Sequence, residues 1–199
     1  MKPRTQIWLS FVGSICLWMS TGCPGPQVRP TGPTGPTDID NKSAGAVAQL
    51  ESRSGSLCTG EALFAQEGDM LRIVLKIKGA TPGDHGAHIH EKGDCSAADG
   101  STAGGHFNPG AHDHGGHSQS PRHAGDLGNI TVAADGTGVL DVRVKGLTLA
   151  DTELSVLGRA ILVHEKPDDL RTQPSGNSGA RICCGVVAKP AMPQAVPPQ

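Results

Sequence analysis

The chain has 199 residues, a formal net charge of −2 and only 3 % aromatic residues, with 28 Gly and 15 Pro. Such a charge balance argues against a nucleic-acid binder held by phosphate contacts, and so few rings leave little for stacking on bases. Gly does not recur at every third position, which excludes a collagen-like chain, and the length suits one ordered domain.

In chain order, Lys2 and Arg4 precede the mostly apolar run Ile7 to Met19, the pattern of an export signal over residues 1–22. The run ends in Ser20-Thr21-Gly22-Cys23. Small residues before a Cys resemble a bacterial lipobox, although Ser20 stands where Leu is usual. Two outcomes stay open, lipidation of Cys23 or ordinary signal cleavage. By the same resemblance, Pro24 rather than Asp after the Cys favours the outer membrane over the inner one, so the expected location is the cell envelope, facing the periplasm or the cell surface. Residues 23–43 carry Pro24, Pro26, Pro30, Pro33 and Pro36 between Gly and Thr, a semi-extended spacer. The ordered domain is expected over 44–189, followed by a loose Pro-rich tail at 190–199.

Within that domain, Leu71, Ile73, Leu75 and Ile77 alternate with Arg72, Lys76 and Lys78, and Val74 breaks the alternation. Leu140, Val142 and Val144 alternate with Asp141, Arg143 and Lys145. Period two predicts strands. Val47 to Glu51, Glu61 to Gln66, Ala87 to Glu91, Ile130 to Ala133, Ala160 to His164 and Ile182 to Ala188 are further candidates. Glu67-Gly68-Asp69 and Asp135-Gly136 mark hairpin turns. No long helical period is present, and at most one turn is expected near Leu149–Leu154. The prediction is all-β, an eight-stranded antiparallel barrel or sandwich. Two long segments, 92–126 and 165–181, break the rhythm, and long loops on a β scaffold are where sites are built.

Nine His are present, and eight lie between His85 and His123. His88 and His90 sit two apart on a strand, so both imidazoles point to one face. His106, His114, His123 and Asp126 follow in a Gly-rich segment, and three imidazoles with a carboxylate suit tetrahedral zinc. His164 ends another strand. Imidazole clusters also suit copper. Spacing alone leaves two functions open: a catalytic redox site, or a metal buffer in the cell envelope.

The strings HGAHIHEKGDC (85–95), AGGHFNPG (103–110), HAGDLGN (123–129), VHEKPDD (163–169) and GNSGARICCGVV (176–187) resemble the copper/zinc superoxide dismutases, in that family's order. The export signal, the spacer and the GDC form of the first Cys motif resemble bacterial members. The resemblance implies an eight-stranded Greek-key barrel of immunoglobulin-like type, binding copper and zinc and dismutating superoxide. It implies His88, His90, His106 and His164 on copper, and His106, His114, His123 and Asp126 on zinc, with His106 shared and catalytic. Asp168 matches a carboxylate that bonds to His88 and His114. Arg181 matches the active-site arginine, and Cys95 with Cys184 the family disulfide. The alternative function is a non-catalytic copper/zinc-binding envelope protein on the same fold. A copper-only enzyme is disfavoured by the intact His114, His123 and Asp126. Expected partners are superoxide and, through Cys23 alone, a membrane, with no nucleic acid. Assembly is a monomer or a homodimer.

Several residues depart from the family pattern. Ala87 stands where many members have Phe, which puts local rigidity in doubt. His85 is expected to be a structural hydrogen-bonding residue. His112 and His117 flank His114 as solvated loop residues or as a metal-capture pair. Adjacent Cys183 and Cys184 point to opposite faces of one strand, so they should not share a role. Cys58 and Cys183 then pair in a second disulfide, stay free, or bond another chain. Few cations besides Arg171 lie in 165–181, so anion capture rests mainly on Arg181. Phe64 and Phe107 are the aromatics left once the signal is removed.

Overall fold

A computed structural model describes residues 44–190. The export signal, Cys23, the spacer before residue 44 and all but Pro190 of the tail lie outside the described residues. Eight antiparallel strands form the fold: β1 (Ala46–Ser52), β2 (Thr59–Glu67), β3 (Met70–Lys78), β4 (Gly83–His90), β5 (Asp126–Val132), β6 (Gly138–Lys145), β7 (Ala160–His164) and β8 (Arg181–Val186). They close in the order β1-β2-β3-β6-β5-β4-β7-β8. Closure removes the exposed edges that short strands would otherwise present. No helix among the described residues is long and apolar enough to cross a membrane.

The alternating residues behave as predicted. Leu71, Ile73, Leu75 and Ile77 face one interior cluster with Phe64, Ile89, Ile130, Ile161 and Val163. Val74 points outward yet is buried, because Leu63 and Ala44 cover it in a second, small cluster. Arg72 shares that outer face and is capped by Asp141 through Nε at 3.0 Å and Nη2 at 2.7 Å. Gly68 and Gly136 adopt positive φ of 64° and 80° in the two expected hairpins.

Two strand starts and one turn differ most from the sequence reading. β4 begins at Gly83 and β5 at Asp126, both several residues early, since Gly and polar residues hide the alternation there. The one short helix among the described residues is a 3₁₀ turn at Ser101–Ala103. Residues 149–154 form bends closed by Thr152 N–H to Ala150 O and Ser155 N–H to Thr152 O instead.

Two features set the site on this barrel. The loop after His106 is laced to β4, with Phe107 N–H on Ile89 O at 2.8 Å and Ile89 N–H on Gly125 O at 2.9 Å. A side chain at Gly125 would overlap the Ile89 carbonyl, so only Gly permits this approach. Cys95 and Cys184 form a disulfide, tying the start of the same long loop to β8. Phe107 packs in the main core with the guanidinium of Arg159 over its ring, 3.5 Å from its centroid.

Candidate metal centre

Six imidazoles and two carboxylates meet where β4, β7 and the two long loops converge. His88 and His90 project from β4, and His164 ends β7 beside them. His106 reaches the same point through a bridge to His90. Ring atoms of His88, His90, His106 and His164 lie within 4.8 Å of one another, and all four residues are buried. His90 Nε2 and His164 Nε2 are 3.4 Å apart. Their other nitrogens face carbonyls, His90 Nδ1 on Gly104 O at 3.0 Å and His164 Nδ1 on Gly179 O at 3.3 Å. Donating there fixes each tautomer and leaves Nε2 as a lone pair aimed inward.

On the far side of His106 a second set converges on Asp126 Oδ1. His106 Nδ1 lies at 3.0 Å, His114 Nδ1 at 3.1 Å and His123 Nδ1 at 3.3 Å. His123 Nδ1 is also 3.4 Å from His106 Nδ1. Donors bound tetrahedrally at about 2.0–2.1 Å from zinc stand about 3.3 Å apart. The observed separations fit such a cage. Distance alone also brings His88 close to His106, His114 and Asp126. His88 Nε2, however, is occupied by Asp168, whereas His123 Nδ1 points into the cage, so His123 is the better fourth donor.

Asp168 joins the two sets. Its Oδ2 accepts from His88 Nε2 at 2.8 Å and its Oδ1 from His114 Nε2 at 2.9 Å. Both bonds turn the remaining nitrogen, Nδ1, toward a metal position. Two buried nitrogens have no hydrogen-bond partner in the cluster, His88 Nδ1 and His106 Nε2. Buried orphans of this kind call for a ligand, and both face the copper-type set. The donors present therefore fit one ion on each side of His106.

Charge agrees with this arrangement. Burial lowers His88 to about 4 and His164 to about 3, and pushes His90 well down, so all three rings are neutral and ligand-ready at pH 7. Burial opposes a charge on His114, but Asp126 and Asp168 outweigh it and raise the ring to about 9. Burial would likewise raise Asp126 and Asp168. Bonds from His106 and His114 to the first, and from His114 and His88 to the second, hold both well below the usual carboxylate range.

A cleft of about 390 Å³ opens onto this side, lined among others by His90, His106, His164, Ser175, Gly179 and Arg181. Arg181 Nη1 and Nη2 donate to the carbonyls of Gly100 and Gly104. Half-buried and so clamped, the guanidinium holds a fixed positive charge at the mouth.

The structure thus brings together every ligand candidate, Asp168 and Arg181. His85 is apart, its ring spanning the carbonyls of His164 and Thr81 at 2.8 Å each, as a structural histidine should. His112 is exposed, and His117 half-buried. Ala87 is buried in the core. Sequence reasoning missed Asn129, whose amide donates to Asp168 O at 2.9 Å and accepts Asp168 N–H at 2.7 Å. It also missed Gln173, which clamps the His114 backbone at both N–H and carbonyl. Asn129 closes one of the matched strings and was open to discovery there; Gln173 carried no signal.

Comparison with known proteins gives a consistent result. Residues 58–187 match the family model for copper/zinc superoxide dismutase. An extracellular superoxide dismutase [Cu-Zn] of Brugia pahangi is 40 % identical over 156 residues, 74 % of this chain and 77 % of that one. The crystal structure of the clock protein EA4 is similar, with TM-score 0.67 and 33 % identity over 74 % of this chain and 96 % of that one.

Proposed function

The chain belongs to the copper/zinc superoxide dismutase family, and from that premise we propose how its own residues carry the activity. It dismutates superoxide with copper and zinc as cofactors. One observation supports the residue assignment above all. The two nitrogens of His106 face different donor sets, Nδ1 toward Asp126 and Nε2 toward the His88 side. His88, His90, His106 and His164 hold copper; His106, His114, His123 and Asp126 hold zinc. When bound, copper supplies a one-electron couple and zinc a fixed dication. Two superoxide ions and two protons give one O₂ and one H₂O₂.

The chain's groups do the rest. Arg181 draws the anion into the cleft and orients it, which a net negative protein needs locally. His106 Nε2 holds a proton between the half-reactions and passes it to the peroxide, while Nδ1 stays turned to the zinc set. Asp168 touches no substrate; it positions the rings of His88 and His114. A metal store on the same fold would need no guanidinium clamped at the cleft. Pulse radiolysis of the metal-loaded protein tests this. Catalysed superoxide decay is expected in wild type, with a loss of at least tenfold in His106→Ala. Wild type at the background rate would refute it.

Residues 1–22 are proposed to direct export, with Cys23 carrying the lipid of a bacterial outer-membrane lipoprotein. The basic start, the apolar run and the small residues before Cys23 support this, and a relative named as extracellular agrees with export. Mass analysis of the mature N-terminus is the test. An acylated Cys23 is expected, lost in Cys23→Ser; a cleaved, unmodified terminus would refute anchoring.

A further inference from the structure

Cys58 and Cys183 take no part in the metal centre, yet their sulfurs lie 2.7 Å apart in the barrel core. Neither is bonded, and both are fully buried. A disulfide bond is only about 0.7 Å shorter than this separation. We propose that Cys58 and Cys183 form a second disulfide, closed by peroxide, the product of the enzyme's own reaction.

Three features lead to this pairing. Alternation along β8 sends Cys183 inward to the main core and Cys184 outward to a separate cluster with Cys95, Ala103, Ala160 and Leu162. The two cysteines therefore cannot exchange partners without turning the strand over. The segment carrying Cys58 is also bound to the residue before Cys183. Arg53 N–H donates to Ile182 O at 2.9 Å, Ser56 Oγ to the same carbonyl at 2.5 Å, and Cys58 N–H to Ser56 Oγ at 3.2 Å. The sulfurs are thus held face to face by hydrogen bonds that owe nothing to the thiols. Either thiol can donate the hydrogen bond between them. Cys58 lies on the connection between β1 and β2, whereas Cys183 is held within β8, so Cys58 is the attacking thiol.

The chemistry closes on itself. Cys58 sulfur attacks one peroxide oxygen, the O–O bond breaks, and water leaves a sulfenic acid on Cys58. Cys183 sulfur attacks Cys58 sulfur, the S–O bond breaks, and a second water leaves. Two thiols are oxidised by two electrons in all, and one H₂O₂ is reduced to two waters. Because both sulfurs are buried, peroxide meets them while the 53–58 segment is undocked. The link then fastens the β1–β2 connection to β8, two residues beyond Arg181.

The test uses the full chain, treated with hydrogen peroxide, unfolded without reductant in the presence of an alkylating agent, and digested with trypsin. The expected product is one linked cluster of peptides 54–72, 93–122 and 182–199, with Cys58 fragmenting to Cys183 and Cys95 to Cys184. Recovery of peptide 54–72 alkylated at Cys58, or a Cys58–Cys184 link, would overturn the proposal. Thermal melts provide an independent arm. Cys58→Ala, Cys183→Ala and the double variant should each lower Tm by the same roughly 5–10 °C, since each removes the one link. Losses that add in the double variant would mark two merely packed thiols and would also overturn it.

Discussion

Exchanging Asp168 for Asn changes the shape of the centre least and its hydrogen bonding most. The carboxylate is buried and accepts from His88 Nε2 at 2.8 Å, from His114 Nε2 at 2.9 Å and from Leu170 N–H at 2.7 Å. An amide offers a single acceptor oxygen, so it can serve one ring but not both. The ring facing the NH₂ group must present a lone pair at Nε2 and carry its proton on Nδ1. Nδ1 is the atom aimed at the metal, so that tautomer blocks ligation. Loss of such a partner typically weakens metal binding about 10–100-fold, or about 1.4–2.7 kcal/mol. Because His88 and His114 lie in different sets, at least one metal affinity of Asp168→Asn should fall by that factor. Competition titration of copper and zinc against chromophoric chelators at pH 7 measures both. Two affinities within twofold of wild type would refute the claim that Asp168 sets the tautomers.

Other consequences are as direct. Arg181→Ala should slow superoxide decay about tenfold at low salt and flatten the dependence on ionic strength, both read by pulse radiolysis. Gly176 has φ of 63°, and a Cβ there would overlap Asp168 Oδ1 and crowd His114 Nε2. Gly176→Ala should therefore cost about 1–2 kcal/mol in backbone conformation alone and reduce metal occupancy, checked by melts and elemental analysis. The metal-free protein should lose stability as pH falls from about 6.5 toward 4, because His88 and His164 stay neutral when folded and charge when unfolded. Asp126 and Asp168, held ionised, add to the loss below about pH 4. His114 runs the other way: its contribution is full below about pH 6.5 and lost as pH rises through about 9. Urea melts of the metal-free protein from pH 3.5 to 9.5 test these signs, and a flat profile would contradict them.

The strands that face a core on one side only were legible in the sequence, because alternation survives wherever apolar and charged residues take turns. Leu71 to Lys78 and Leu140 to Lys145 are of this kind. Val74 broke the pattern for a reason no local reading supplies, a small outer cluster built from the distant Leu63 and Ala44. β4 and β5 began earlier than expected because Gly83 to Gly86 read Gly-Asp-His-Gly and Asp126 to Asn129 read Asp-Leu-Gly-Asn, with no alternation of apolar and polar residues. The ligand residues were legible from type and spacing, and resemblance separated the two sets. What stayed hidden was the backbone of the long loops. The carbonyls of Gly100 and Gly104 hold Arg181, that of Gly179 faces His164, and Gln173 clamps His114. Backbone acceptors carry no sequence signal, and Gln173 meets His114 only after the chain has closed 59 residues apart.

The sharing of His106 between two ions is the central claim, and anomalous diffraction at the copper and zinc edges of the metal-loaded protein tests it most directly. With copper in its oxidised state, two peaks are expected to flank one imidazole, copper against Nε2 and zinc against Nδ1, the zinc at about 2.0–2.1 Å. A single peak, or two peaks of which neither or only one touches His106, would contradict it.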